Sequence, residues 1–319
     1  MKAIIRTRYG FPDVLKISEV SKPKPKNHEI LIRVFATTVN RTDWGILTGK
    51  PFVIRFFTGL FKPKLLTPGT DFAGRIEEIG RDVKKFKIGD RVWGLNDVGL
   101  SSHAQYMRIL EDKAVMAIPE NQTYKEAAAC AEGAHYAYNF INKVDIRSGD
   151  KVLVNGATGA IGSSALQLLK HFGAIVTAVG NTKNMDLLKS LGADKTVDYL
   201  KVDFLKDDQK YHFILDAVGK SSFSKCRLLL MPGGVYISSE LGPYAQNLYL
   251  PLITKLFGNK RVIFPIPANC KRSILFVKSL IEKGEFKAVI DKEYSMDKIA
   301  DAYEYVASGE KTGNVLISY

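Results

Sequence analysis

The stretch KVLVNGATGAIGSSALQLLKHFG, from Lys151 to Gly173, decides the fold of this 319-residue chain. It opens on the apolar, β-branched run Val152–Val154, which predicts a buried strand. Glycines follow at positions 156, 159 and 162, and apolar residues then recur at the three- and four-residue spacing of an amphipathic helix. A second apolar run, Ala174–Val179, comes directly after this helix. The sequence therefore predicts a βαβ unit built around a glycine turn.

A strand, a glycine turn and a helix in this order make a binding site for a pyrophosphate group. Small residues let the backbone approach the phosphates, and the first N–H groups of the helix face the negative charge. The strict G-x-G-x-x-G pattern is not met, because its first position is Ala157 and Gly156 comes one residue early. We interpret the turn as a dinucleotide site rather than as a purely structural turn. The predicted cofactor contacts in it are Gly156, Ala157, Thr158, Gly159, Ala160 and Ile161.

The composition, with 46% hydrophobic and 25% charged residues, is typical of a soluble globular protein, and the length suits two domains. No apolar run approaches the ~20 residues of a membrane span. The start of the chain is interpreted as a first strand rather than a signal peptide. Three cysteines, none in a C-x-x-C spacing, argue against a disulfide framework and a structural zinc. These features predict a cytoplasmic location.

The net charge is +13, which favours anionic ligands. No pattern of interleaved aromatic residues and arginines indicates RNA binding, so a solvated lysine-rich surface is preferred and no nucleic-acid partner is predicted. The segment Lys50–Leu66 combines aromatic and basic residues. We interpret it as a loop or short helix that covers an active-site cleft, with membrane-surface binding as the alternative.

The two halves of the chain differ in pattern. Up to about residue 120, short strands such as Glu29–Val34 and Asp71–Ile79 are separated by closely spaced turns, which predicts an all-β, barrel-like domain. From Thr123 onward, helical patterns alternate with buried strands such as Phe213–Leu215 and Val235–Ile237. That alternation predicts a parallel, doubly wound sheet.

Several stretches together resemble one enzyme superfamily. KPKPKNHEILIRVFATTVNRTDW, TPGTDFAGRIEEIG, FKIGDRVWG, VNGATGAIG, LDAVG, MPGG and KTGNVLI are similar to the medium-chain dehydrogenase/reductase superfamily, and within it to the zinc-independent quinone oxidoreductase-like branch. The resemblance covers essentially the whole chain. It implies an α/β fold: a GroES-like β-barrel catalytic domain over residues 1–122, a Rossmann NAD(P)-binding domain over 123–264, and a return segment over 265–319. It also implies a homodimer that pairs through the edge strand Arg261–Phe264.

The end of the second strand of the βαβ unit indicates which nicotinamide cofactor is bound. A carboxylate there would bind a ribose 2′-hydroxyl and repel a 2′-phosphate, but the chain carries Asn181, Thr182 and Lys183. A lysine charge near a phosphate is worth a few kcal/mol, so NADP(H) is predicted. The alternative is that Lys183 merely starts the next helix. Glycine positions and the resemblance add four further cofactor contacts, which are Tyr199, Val218, Gly219 and Asn314.

The alcohol dehydrogenases of the superfamily hold a catalytic zinc through cysteine and histidine. The resemblance places the three ligand positions at Asn40, at Thr70 and at Ala131 or Glu132, so it implies a site without zinc. Oxidation of an alcohol is difficult without a Lewis acid. Reduction of a quinone or an α,β-unsaturated carbonyl is easier, because the enolate-like oxygen needs only hydrogen-bond donors and a proton.

Three side chains are candidates for this chemistry. Asn40 is a candidate amide donor, and Asp43 either relays a proton or simply closes a turn. His135 is a candidate donor or general acid, with a packed histidine that caps its own helix as the alternative. The remaining histidines are predicted to lie at the surface: His28, His103, His171 and His212.

The sequence thus predicts an NADPH-dependent, zinc-independent oxidoreductase that reduces a small electrophilic molecule, either a quinone or an α,β-unsaturated carbonyl. One alternative is a zinc-free alcohol dehydrogenase or carbonyl reductase. The other is a low-turnover NADPH-binding protein with RNA or membrane-surface contacts.

Overall fold

The computed structural model describes residues 1–96 and 101–319. They form two compact units. Unit 1 comprises Met1–Glu132, Cys270–Glu282 and Lys287–Tyr319, and unit 2 comprises Gly133–Asn269 and Lys283–Phe286. The domain limits near residues 122 and 264 stay a prediction.

Among the described residues, strands form the framework of unit 1 and the centre of unit 2. In chain order they are β1 (Lys2–Ile5), β2 (Lys16–Glu19), β3 (Glu29–Val39), β4 (Asp71–Ile79), β5 (Arg91–Leu95), β6 (Tyr106–Leu110), β7 (Ala114–Ala117), β8 (Lys151–Asn155), β9 (Ile175–Gly180), β10 (Lys195–Asp198), β11 (Tyr211–Asp216), β12 (Leu230–Ser238), β13 (Arg261–Ile263), β14 (Ile290–Ser295) and β15 (Asn314–Ser318).

The helices are mostly short. In chain order they are α1 (Arg41–Thr48), α2 (Ile54–Thr58), α3 (Tyr124–Ala129), α4 (Glu132–Ile141), α5 (Ala160–His171), α6 (Met185–Ser190), α7 (Phe223–Cys226), α8 (Gln246–Phe257), α9 (Cys270–Glu282) and α10 (Ile299–Ser308).

Unit 1 is organised around the long strand β3. It pairs antiparallel with β4, β6 and β15, within a sheet whose order is β14-β15-β3-β4-β5-β7. Apolar residues of β3 alternate inward and pack with Phe72, Ile76 and Val92 in one core cluster. A second cluster joins Val39 and Val315 to α10. Because β3 belongs to both clusters, its carboxyl end at Val39 is held firmly, and α1 begins immediately beyond it.

Unit 2 is built on a six-stranded sheet of order β10-β9-β8-β11-β12-β13. Every pairing in it is parallel, which confirms the predicted doubly wound sheet. The chain runs outward from β8 on one side and resumes with β11 on the other. The carboxyl ends of β8 and β11 therefore form the point where the strand order reverses, and open α/β sheets bind ligands at such a point.

Two local predictions need adjustment. The helical pattern that begins at Thr123 forms two helices, α3 and α4, and Thr123 caps the first of them, since its Oγ1 accepts from the Glu126 N–H at 3.2 Å. The surface position predicted for His103 is wrong, because this side chain is completely buried. A buried backbone carbonyl group needs a hydrogen-bond partner, and His103 Nε2 supplies one to the Thr38 carbonyl oxygen.

No helix within the described residues is both long and apolar enough to cross a bilayer. The cytoplasmic location stays a prediction.

Candidate active site

In unit 2, the glycine turn between β8 and α5 has the local geometry that a pyrophosphate site needs. Gly156 has φ +76°, a backbone conformation that residues other than glycine rarely adopt. A Cβ on Gly162 would lie 2.1 Å from the Gly156 carbonyl oxygen, so glycine is required where the helix presses on the turn. A Cβ on Gly159 would meet only that oxygen, at 3.7 Å. The space in front of Gly159 is open, while the turn behind it is tightly packed.

The amino end of α5 is available to an anion. Its N-cap is Gly159, which has no side chain to cap the helix. The first N–H groups of a helix have no partner within it, so they are left to bind a ligand. This end of α5 fits the pyrophosphate of a dinucleotide.

Residues predicted to contact the cofactor lie close to one another around the turn in unit 2. A Cβ on Gly156 would lie 2.7 Å from Val218 Cβ, and one on Gly180 would lie 2.7 Å from Thr158 Cγ2. A Cβ on Gly133, in the first turn of α4, would lie 2.8 Å from the Ala160 carbonyl oxygen. The structure therefore brings the turn, the loop after β11, the end of β9 and the start of α4 together.

Sequence reasoning missed a buried acid that holds these loops together, Asp216 at the end of β11. Its carboxylate is fully buried and accepts from Asn155 Nδ2 at 3.0 Å, from the Gly219 N–H at 3.0 Å and from Tyr236 Oη at 2.8 Å. The Ser221 N–H also donates to it, at 3.1 Å. An acid at the end of an apolar strand, in FILD, was the available signal.

The predicted 2′-phosphate position has a carboxylate beside it that the sequence did not predict, that of Asp198. Thr182 Oγ1 donates to Asp198 Oδ2 at 2.5 Å, and β10 brings Asp198 into register with Gly180. The hydrogen bond from Thr182 lowers the pKa of Asp198, so it is ionised at neutral pH. Lys201 Nζ lies 3.7 Å from the same carboxylate, and Lys183 is exposed. Tyr199 is also exposed, one residue beyond.

In unit 1, Asn40 lies at the centre of a buried polar cluster. Its Nδ2 donates to Thr38 Oγ1 and approaches Glu132 Oε2 at 3.2 Å and Asp71 Oδ2 at 3.3 Å. Thr70 Oγ1 donates to Glu132 Oε2 at 2.6 Å, and the Thr38 N–H and Oγ1 donate to Asp71. Two carboxyl groups thus share one amide nitrogen.

These carboxyl groups hold protons unusually well. Burial, reinforced by the charge of Glu132, raises the pKa of Asp71 to about 7. Burial also raises the pKa of Glu132. Near neutral pH the pair therefore keeps a proton that ordinary surface carboxylates would have lost.

Asp43 belongs to the same cluster. Its Oδ2 accepts from the Asn40 N–H at 2.9 Å, which fixes the start of α1, while its buried Oδ1 has no hydrogen-bond partner. Burial, together with the charges of Glu132 and Asp71, raises the pKa of Asp43 well above its usual range. The turn-closing role is visible, and a proton on Asp43 is favoured as well.

The two remaining predicted residues have other neighbours. His135 is fully buried on α4, where Asn139 Nδ2 lies 3.4 Å from its Nδ1 and donates to its carbonyl oxygen at 2.8 Å. Asn314 begins β15 in unit 1, and its Nδ2 donates to the Val289 carbonyl oxygen at 3.0 Å. The roles of both residues toward a cofactor stay predictions.

Comparison with known proteins gives a consistent family assignment. Residues 26–136 match the family described as "Alcohol dehydrogenase GroES-like domain", and residues 191–317 match "Zinc-binding dehydrogenase". A 2-methylene-furan-3-one reductase of Solanum lycopersicum is 33% identical, over 99% of this chain and 79% of its own length. A chloroplastic quinone-oxidoreductase homolog of Spinacia oleracea is 30% identical, over 99% of this chain and 98% of its own.

A solved structure has the same fold. The quinone oxidoreductase of Escherichia coli complexed with NADPH superposes with a TM-score of 0.84 at 23% identity, over the full length of both chains. The predicted α/β fold class, a GroES-like domain with a parallel-sheet Rossmann domain, is thereby confirmed.

The residues at the implied metal positions do not fit a catalytic zinc. Such a site takes thiolates and imidazoles. Here an amide, a hydroxyl and one carboxylate already bond one another, through Asn40, Thr70 and Glu132. Across residues 1–96 and 101–319, no three His, Cys, Asp or Glu side chains are grouped so that they could hold a metal ion.

Proposed function

Since the chain belongs to the quinone oxidoreductase-like branch of the medium-chain dehydrogenase/reductase superfamily, whose members are NAD(P)H-dependent oxidoreductases, we propose that it reduces a quinone or an α,β-unsaturated carbonyl with NADPH. The observation that carries the proposal is the buried cluster around Asn40. At the implied metal position it offers an amide and a protonated carboxyl group instead of zinc ligands.

The cofactor's part is simple: when bound, it supplies a hydride. The chain's own residues hold it. The open amino end of α5 binds the pyrophosphate, and the tightly packed Gly156 and Gly162 keep the turn in shape. The 2′-phosphate is assigned to the polar residues after β9 and β10, which are Asn181, Thr182, Lys183 and Tyr199.

The acceptor needs a proton once its carbonyl oxygen has become negatively charged. We assign that proton to the cluster, in which Asp71 holds one near neutral pH and passes it through the Thr38 hydroxyl, which accepts this proton as it releases its own to the acceptor. Asn40 Nδ2 serves only as a hydrogen-bond donor. Asp43 keeps Asn40 in place from the first turn of α1. The cluster supplies hydrogen-bond donors and a proton, which is what an enolate-like oxygen requires.

A homodimer is proposed from the surface of unit 2. The helix α8 buries polar residues, Asn247 and Thr254, and turns an apolar stripe outward. The members of the stripe are Leu248, Tyr249, Leu252, Ile253, Leu256 and Phe257. The strand that follows, β13, is the edge of the sheet. A second copy would cover both features, and light scattering on the purified protein would give twice the mass of 35.5 kDa.

Steady-state assays test the proposed function. NADPH should be oxidised in the presence of a water-soluble quinone or a short enone, with catalytic efficiency at least about a hundredfold above that for NADP⁺ with simple alcohols. A broad acceptor panel without turnover, combined with tight and salt-sensitive RNA binding, would point instead to a low-turnover binding protein. Efficient alcohol oxidation would favour the alcohol dehydrogenase alternative.

Asp198→Asn is expected to shift cofactor preference toward NADPH. The substitution removes a negative charge that is hydrogen-bonded to Thr182, beside the proposed 2′-phosphate position. The ratio of kcat/KM for NADPH over NADH should rise about tenfold, which corresponds to about 1.4 kcal/mol. Asp208→Asn, at an exposed position in the same unit, is the control and should leave the ratio unchanged. An unaltered ratio in Asp198→Asn would place the 2′-phosphate elsewhere.

A further inference from the structure

One stretch of unit 1 presents an unusual surface. Residues 51–66, which we call the aromatic segment, contain α2, and no residue of α2 is buried. Phe57 and Phe61 are 81% and 88% exposed. Other large apolar side chains of the segment are also exposed: Phe52, Val53, Phe56, Leu60, Leu65 and Leu66. So many exposed large apolar side chains within one short segment mark a contact with something other than water.

The segment is anchored to the rest of unit 1 by polar contacts. Tyr9 Oη bonds Thr58 Oγ1 at 2.7 Å and donates to the Gly59 carbonyl oxygen at 2.6 Å. The Arg55 guanidinium lies over the Tyr9 ring at 4.5 Å, and its Nε donates to the Gly49 carbonyl oxygen at 3.2 Å. These polar contacts fix the backbone, while Phe57 and Phe61 stay exposed. The exposed surface is therefore held in place rather than trailing as a loose loop.

The charge of the segment selects its partner. No acidic residue occurs between Asp43 and Asp71, whereas this interval contains four basic residues, which are Lys50, Arg55, Lys62 and Lys64. Lys62 and Lys64 are exposed beside Phe61. Exposed aromatic residues flanked by lysines are the composition that binds anionic bilayer surfaces, where rings enter the interface and ammonium groups meet the headgroups.

We propose that the aromatic segment docks unit 1 onto an anionic lipid bilayer, and that the acceptor is a lipophilic quinone or enone dissolved in it. The statement about the acceptor rests on the proposed function, whereas the docking does not. A second copy of the chain is a poorer partner for this surface, because two basic segments that contain no acidic residue would face one another and repel. An anionic surface attracts the same charges.

Vesicle sedimentation tests the docking without requiring any activity. The wild-type chain should sediment with vesicles of phosphatidylcholine containing roughly one-third phosphatidylglycerol, and much less with phosphatidylcholine alone or in high salt. The double variant Phe57→Ser/Phe61→Ser should bind about a hundredfold more weakly, at about tenfold per ring withdrawn from the interface. Lys62→Gln/Lys64→Gln should bind about thirtyfold more weakly and lose about half of the salt dependence, since Lys50 and Arg55 remain.

Leu228→Ser is the matched control, because Leu228 is 77% exposed in unit 2 and far from the segment in sequence. It should bind vesicles like the wild type. Equal binding by wild type and Phe57→Ser/Phe61→Ser would overturn the proposal. The proposal would also be overturned if the double variant bound vesicles like the wild type but had an altered KM for a water-soluble quinone, because the segment would then act as a lid. A loss of oligomer mass in the double variant, with no vesicle binding by either protein, would show instead that a second copy covers the surface.

Activity assays separate the two proposals. The double variant should retain wild-type turnover with a water-soluble quinone and lose about tenfold or more with a long-chain quinone embedded in the anionic vesicles. An equal rate on the embedded quinone would refute the proposed acceptor class. If no quinone or enone is reduced by the wild type, the proposed function fails while the sedimentation result still decides the docking.

Discussion

Asp216→Ala should lower the free energy of unfolding of unit 2 by about 4 kcal/mol. The carboxylate is fully buried and accepts hydrogen bonds from Asn155, Gly219, Ser221 and Tyr236. Truncation leaves these buried donors without an acceptor, and each unpaired buried donor costs roughly 1–3 kcal/mol. Relaxation of the loops and water that enters the site reduce this cost. The loops after β8 and β11 should loosen together.

The measurement must report on unit 2. Both tryptophans, Trp44 and Trp93, lie in unit 1, so far-UV circular dichroism in urea and amide hydrogen exchange are better suited than tryptophan fluorescence. Asp216→Asn, which keeps one acceptor oxygen, should lose about half as much stability. Asp208→Ala, at an exposed position, should change it by less than about 0.5 kcal/mol. Wild-type stability in Asp216→Ala would mean that the carboxylate does not organise these loops.

Gly159→Val should weaken NADPH binding by about a hundredfold, or about 2.7 kcal/mol, without unfolding the protein. Gly159 has φ −75° and ψ 172°, which valine adopts readily, and an added Cβ meets a single atom at 3.7 Å. The new side chain would instead occupy the open space before the amino end of α5, where the pyrophosphate is proposed to lie. Titration of NADPH fluorescence gives the dissociation constant, and thermal unfolding checks the fold.

Gly162→Ala provides the contrast for this experiment. Its Cβ would lie 2.1 Å from the Gly156 carbonyl oxygen and 2.7 Å from Ala157 Cα, so the substitution should cost stability as well as affinity. If Gly159→Val bound NADPH as tightly as the wild type, the cofactor would have to approach the sheet elsewhere.

The sheet of unit 2 was predictable because its signal is local. Three neighbouring patterns predict the same βαβ unit: the apolar run at Val152, the glycines that follow it and the helical spacing after them. The turn of Gly156 and the cap of Thr123 likewise depend on neighbours within a few residues. Where neighbouring residues determine a conformation, the sequence pattern is enough to predict it.

The polar clusters were harder, because their members are distant in the chain. Asn40 meets Asp71 and Glu132 only after β3 and β4 have paired and α4 has begun, and no spacing rule joins these positions. His103 was assigned to the surface from its residue type alone, yet it is held between the Thr38 carbonyl oxygen and Tyr303 Oη. Asp198 escaped notice because it lies on the strand next to the expected one, and register carries it to Thr182.

Transfer of a hydride to the acceptor is the central claim, and isotope tracing tests it most directly. The enzyme, treated with chelator and its zinc content measured, is supplied with a short enone and with NADPH that carries deuterium at both hydrogen positions of nicotinamide C4. We expect one deuterium at the β-carbon of the product, at a rate that does not depend on zinc content. Product without deuterium, or turnover that appears only when zinc is restored, would contradict the account.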